Sequence, residues 1–198
     1  MCGGIRFAYS PKLESALQEY FTPEQCEQAR TTGIVESVFW QARPILPALL
    51  DGQVELFEWG NRDSNIKLPK TGWMRAESLT DGKWNYLHPQ AIVIPAIQGV
   101  EKKIWFGIDH GIQGFLVRRG DLTRVYMLTV EPSPEYRALT GHDRMPALIQ
   151  QEQVVAWLSR CVPISLRAHS VGDTCATVRA ELRCCGHLEL AIRACFCW

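Results

Sequence analysis

Apolar residues between positions 11 and 30 recur every fourth place, at Leu13, Leu17 and Phe21, and this spacing predicts a first helix. Ser10 stands where an N-cap belongs, Pro11 falls in the first turn, and Thr32-Gly33 breaks the pattern. From there to about residue 130 the pattern changes. Runs rich in β-branched and aromatic residues, bounded by Gly, Asp, Asn and Pro, predict strands at Val35–Trp40, Val54–Trp59, Ala91–Pro95, Lys103–Ile108, Gln113–Arg118 and Arg124–Val130. The polar stretch Asn61–Gly72, with Pro69 inside it, reads as a loop. After turn material at Glu131–Pro134 the pattern is helical again, at Glu135–Leu139 and Gln150–Leu158. No internal repeat or linker interrupts residues 1–160. The expected fold is α+β: one β-rich domain with an antiparallel, barrel-like sheet flanked by helices.

Composition narrows the classes. At 198 residues, 46% hydrophobic and 21% charged, the chain is globular and large enough for a real core. The formal net charge is +0, so any nucleic-acid surface must be a local basic patch balanced by acid elsewhere. No apolar run reaches the roughly 18 residues of a membrane span, and Met1–Ser10 lacks the layout of a secretory signal. The expectation is a cytoplasmic, monomeric protein without a membrane partner. In that compartment the 8 cysteines read as free thiols, ligands or a nucleophile before they read as disulfides. Cys161, Cys175, Cys184, Cys185, Cys195 and Cys197 crowd the end of the chain, where Arg is present and Lys absent. Residues 161–198 therefore form an atypical tail. Cys184, Cys185, His187, Cys195 and Cys197 are candidate zinc ligands, but no Cys-x-x-Cys pair occurs and adjacent cysteines are poorly spaced. No metal or other cofactor is expected.

Three constellations could carry chemistry. Methionine removal before the small Cys2 would leave an N-terminal cysteine, with an amine and a thiol two carbons apart. The amine can condense with an aldehyde to a Schiff base and the thiol can close a thiazolidine, with no cofactor. The alternative is a small residue near a frayed end. In Gly141-His142-Asp143-Arg144-Met145-Pro146, the imidazole suits proton transfer near neutrality, or is simply satisfied by a backbone carbonyl. Pro95–Glu101 is an apolar strand running through Gly99 into a carboxylate, either a buried acid or a surface turn residue.

Together these segments resemble the SRAP (SOS response-associated peptidase) family. Its members open Met-Cys-Gly, carry a Pro-Ala…Glu segment after a strand, and contain a His-Asp-Arg-Met-Pro motif. Trp59-Gly60 and Arg75-Ala76-Glu77 fall where the family has a Trp-Gly pair and an Asn-Ala-Arg-x-Glu motif. The likeness spans about residues 1–160. It implies a sensor of abasic sites in single-stranded DNA, acting in the DNA damage response. The Cys2 amine would attack the sugar aldehyde, and the thiol would close a covalent thiazolidine crosslink. Glu101 would assist ring opening and Schiff-base formation, and His142 would handle later proton transfers, including reversal or strand cleavage. Arg75 and Arg144 would contact phosphates. Two other readings stand beside it: a thiol autopeptidase using Cys2 and His142, and a catalytically idle DNA-binding module.

The chain departs from that pattern in four places. The opening reads Met-Cys-Gly-Gly-Ile-Arg, so either Gly4 replaces the family's DNA-contacting Arg or Arg6 takes its place. Trp73 stands where the family has a substrate-positioning Asn, with Asn61 and Asn65 as candidate substitutes. Asn61–Gly72 replaces a Pro-Gly-Trp wedge, and Cys161–Trp198 does not resemble the family's ending. Trp59, Trp73 and Trp84 are candidate base-stacking faces, with a core role the alternative and the favoured one for at least Trp59.

Overall fold

A computed structural model describes residues 2–149. Within them the chain runs β1 (Gly4–Ala8), α1 (Glu14–Gln18), α2 (Pro23–Thr32), β2 (Ile34–Val38), β3 (Ile45–Leu50), β4 (Gln53–Glu58), β5 (Trp73–Arg75), α3 (Ala76–Thr80), β6 (Gln90–Ile94), β7 (Gln98–Glu101), β8 (Ile104–Gly107), β9 (Ile112–Arg119), β10 (Leu122–Val130), α4 (Pro134–Thr140) and β11 (Met145–Pro146). The expected helix Gln150–Leu158, the boundary at residue 160 and the tail lie outside the described residues.

The fold is the β-rich α+β arrangement expected, but the strands make two open sheets and do not close into a barrel. One sheet has the order β2-β1-β7-β8, all antiparallel. The other runs β11-β10-β9-β6-β3-β4, with β5 pairing β10 in parallel. Alternation along β10 explains the layering. Val125 and Met127 point into one buried cluster, and Tyr126 and Leu128 into another on the opposite face. The larger sheet is thus covered on both sides, and strands buried on both faces read as apolar runs. The first cluster joins the two sheets, with Ile5, Phe7 and Val35 from the smaller one against Ile45, Leu46 and Ile112 from the larger. The second is closed by the loop after β4, through Leu68, and by Leu87 from the turn before β6.

The first predicted helix divides in two. Ser10 accepts a bond from Lys12 N as a cap should, but α1 stops at Gln18. Thr22 is extended (φ −71, ψ 159) ahead of Pro23, as residues before proline tend to be, and it opens α2 with a capping box shared with Gln25. The polar stretch Asn61–Gly72 is a loop, as its composition predicts, and it is ordered from within. Buried Asn61 donates through Nδ2 to Leu68 O (3.0 Å) and Asp63 O (3.1 Å), while Trp59 donates its indole N–H to Gly72 O (2.8 Å).

Candidate active site around Cys2

Strand β1 is central in its sheet, and the backbone just ahead of it continues the pairing on both sides. Gly3 N donates to Val100 O (2.8 Å) and Phe39 N donates to Gly3 O (2.9 Å). Cys2 is therefore held at the head of a strand rather than frayed. It is 0% exposed, and its carbonyl accepts the Trp73 indole N–H at 3.0 Å. Its Sγ contacts the carbonyl of Gly4 at 3.1 Å. Burial pushes the thiol up to about 12, against a smaller lowering by hydrogen bonds with Gly4 and Val100.

Two glycines make room here. A Cβ on Gly99 would sit 2.4 Å from the tip of Phe106 and 3.0 Å from Cys2 Sγ, so the thiol and that ring share the space above Gly99. A Cβ on Gly3 would sit 2.5 Å from Trp40, whose indole lies on the Gly3 backbone while remaining 66% exposed.

Glu101 ends β7 and is 6% exposed, so the turn-surface alternative is excluded. The hairpin turn after it is Lys102-Lys103, both with positive φ (47° and 71°). Lys102 Nζ donates to Gly141 O at 2.9 Å, joining the Glu101 turn to the loop that carries His142. His142 Nδ1 lies 2.9 Å from an Asp143 carboxylate oxygen and 3.1 Å from Arg144 N. A protonated Nδ1 donates to Asp143, and an unprotonated one accepts from Arg144 N–H, so this nitrogen has a partner in each state.

The helix α4 supplies a residue that sequence pattern did not single out. Tyr136 is 7% exposed and stacks edge-to-face on Phe106 at 5.1 Å between centroids. Its hydroxyl has no hydrogen-bond partner among the described residues. Burial pushes this phenol up, and the nearby Cys2 and Glu101 push it further.

The arginines divide. Arg6 is ion-paired with Glu36 (2.9 Å), bonded to Gln98, and stacked on Trp105 at 3.9 Å. Arg144 is held bidentately by Glu77 (both 2.8 Å) and also donates to Thr129 O. This clamp holds the Glu77 carboxyl down at about 2. Arg75 is exposed on the same face of β5 as Trp73, two residues on.

Cys2 thus meets Trp73 and Gly99, with Glu101 two residues further along β7 and the loop that carries His142 tied to the Glu101 turn by Lys102. Arg75 lies at the edge of this corner, whereas Arg6 and Arg144 are engaged in ion pairs. Asn61 is committed to its own loop, and Asn65 is exposed in it. Trp59 and Trp84 are core residues, 1% and 7% exposed; the exposed indole beside Cys2 is Trp40. A Trp at the end of a predicted strand gave no signal that it would lie on Gly3. Among the described residues, no group of His, Cys, Asp and Glu is placed to hold a metal, and no helix is long and apolar enough to cross a membrane. The candidate zinc ligands of the tail lie outside the described residues.

A solved structure from Bacteroides thetaiotaomicron, a structural-genomics target, is similar over 81% of this chain and 83% of its own, at 14% identity and a TM-score of 0.49. No family model matches the chain, and the search of curated proteins found no match.

Proposed function

We propose that this protein is an SRAP-like sensor of abasic sites in single-stranded DNA, and that mature Cys2 joins the lesion covalently. The observation that carries the reading is the fixing of Cys2 at the head of a central strand, with its carbonyl on Trp73 and its thiol above Gly99, two residues before the buried Glu101. An accidental terminal cysteine has no need of such a frame.

The chemistry follows from the groups. Removal of Met1 makes the Cys2 nitrogen a primary amine, which attacks the aldehyde carbon of the ring-opened sugar. A C–N bond forms and the carbonyl π pair moves to oxygen. Glu101 protonates that oxygen and recovers a proton from the nitrogen, giving the carbinolamine. It then protonates the hydroxyl, which leaves as water as the nitrogen gives up its second proton, and the Schiff base results. The thiol then adds across C=N, its proton passing to nitrogen, and the thiazolidine closes. Burial favours the neutral form of this thiol, which suits attack by the amine first. His142 handles later proton transfers, including reversal or strand cleavage. Arg75 and the exposed Trp40 offer a phosphate contact and a stacking face. Arg6 and Arg144 act as phosphate contacts only on leaving or sharing their carboxylates.

Incubation with single-stranded DNA carrying one abasic site tests the reading. A heat-stable conjugate that disappears in Cys2→Ala supports it. Self-cleavage or peptide hydrolysis without a conjugate would favour the thiol peptidase, and binding without either would favour the idle module.

A further inference from the structure

Buried tyrosine hydroxyls almost always find a hydrogen-bond partner, and the exceptions call for an explanation. Tyr136 is such an exception: 7% exposed, with Oη unpartnered among the described residues. Packing does not need the hydroxyl, because the edge-to-face contact with Phe106 would be equally good for phenylalanine. The ring of Phe106 in turn ends over Gly99, beside Cys2 Sγ. Tyr136, Phe106, Gly99 and Cys2 are therefore contiguous, and the helix that carries Tyr136 leads directly into the His142 loop. Of the other donors at this corner, Arg144 Nε is also buried without a partner among the described residues, but it sits within the guanidinium that Glu77 clamps. The Trp73 indole N–H is on the Cys2 carbonyl, the Arg144 terminal nitrogens are on Glu77 and Thr129, and Lys102 is on Gly141.

We infer that the Tyr136 hydroxyl is a hydrogen-bond donor to the substrate, binding the sugar oxygen on which charge develops as the Cys2 amine attacks. This role rests on the crosslinking function proposed above. Trp73, the ring next to Cys2, cannot take this part, since it has no acceptor and its one donor is already used. Burial of the phenol, with Cys2 and Glu101 close by, favours its protonated form, which can donate. The bond gains strength in the transition state, because the carbonyl oxygen becomes more negative as the C–N bond forms.

The test compares wild type, Tyr136→Phe and Cys2→Ala in single-turnover crosslinking with saturating abasic single-stranded DNA. Affinity for the same oligonucleotide bearing a tetrahydrofuran abasic analogue, which has no aldehyde, is measured in parallel. Tyr136→Phe is expected to crosslink slower by about tenfold or more, since one transition-state donor is gone. Its affinity for the analogue should stay within about twofold and its Tm should not fall, because an unpartnered hydroxyl contributes nothing to the fold. A Tyr136→Phe rate equal to wild type, with the conjugate still lost in Cys2→Ala, would overturn the role of Tyr136 and leave the function standing. A slower rate accompanied by an equal loss of affinity and a lower Tm would also overturn it. Absence of a conjugate in wild type would overturn the function, and this role with it.

Discussion

The indole N–H of Trp73 donates to the carbonyl oxygen of Cys2 at 3.0 Å, across 71 positions of sequence. That bond ties the short parallel strand β5 to the residue ahead of β1, and so joins the two sheets at the site. Phe39 and Trp59 pack around the same indole, at 4.5 and 5.7 Å between centroids. Trp73→Phe keeps most of this packing and removes the donor. It should lower stability by about 1 kcal/mol, the net value of one such bond, and slow crosslinking more than it weakens DNA binding. Chemical denaturation and single-turnover kinetics on one preparation read both effects.

Trp40 lies against the Gly3 backbone ahead of β1 and is 66% exposed, so its removal should leave the core intact. If it stacks on a base, Trp40→Ala should weaken single-stranded DNA binding by about 1–3 kcal/mol with little change in Tm. Fluorescence anisotropy with an undamaged oligonucleotide measures the loss. Unchanged affinity would remove Trp40 from the interface.

Lys102 and Lys103 both hold positive φ in the two-residue turn between β7 and β8, a conformation that β-hairpins usually assign to Asn-Gly. Lys103→Gly should therefore stabilise the fold by about 1 kcal/mol, with Lys102 left to bond Gly141. A rise in the denaturation midpoint checks it.

Acid should open the Arg144 clamp. Glu77 is lowered to about 2 in the folded chain, chiefly by its hydrogen bonds to Arg144, and returns to the ordinary carboxylate value on unfolding. A lowered folded value means that its contribution is present above the unfolded pKa and is lost as pH falls from about 4.5 towards 2. Tm should drop over that window in wild type and less steeply in Glu77→Gln, as a pH series of thermal melts would show.

Much of the strand content was readable, because β-branched runs between turn residues need only local chemistry. The pattern found β2, β4, β6, β8, β9 and β10 to within a few residues, the strand read at Pro95–Glu101 contains β7, and the loop from Asn61 was read as one. What it missed depended on non-local or contrary signals. In β3 the proline Pro47 interrupts an otherwise apolar run, and β1 is too short and glycine-rich to announce itself. The β7–β8 hairpin lacked the turn residues that advertise one. The break before α2 was legible in Thr22-Pro23 and Gln25, a capping box inside what a period of four made look like one helix. At the site, Cys2, Glu101 and His142 stood out by residue type and order. Tyr136 did not, since a tyrosine in a short helix looks like core until its hydroxyl is found without a partner.

The most direct measurement is the intact mass of the product formed with an abasic single-stranded oligonucleotide. Thiazolidine formation through mature Cys2 predicts the mass of the protein without Met1 plus that of the oligonucleotide, less one water, and predicts that this species survives heating. A protein that retains Met1 and forms no such species would contradict the account.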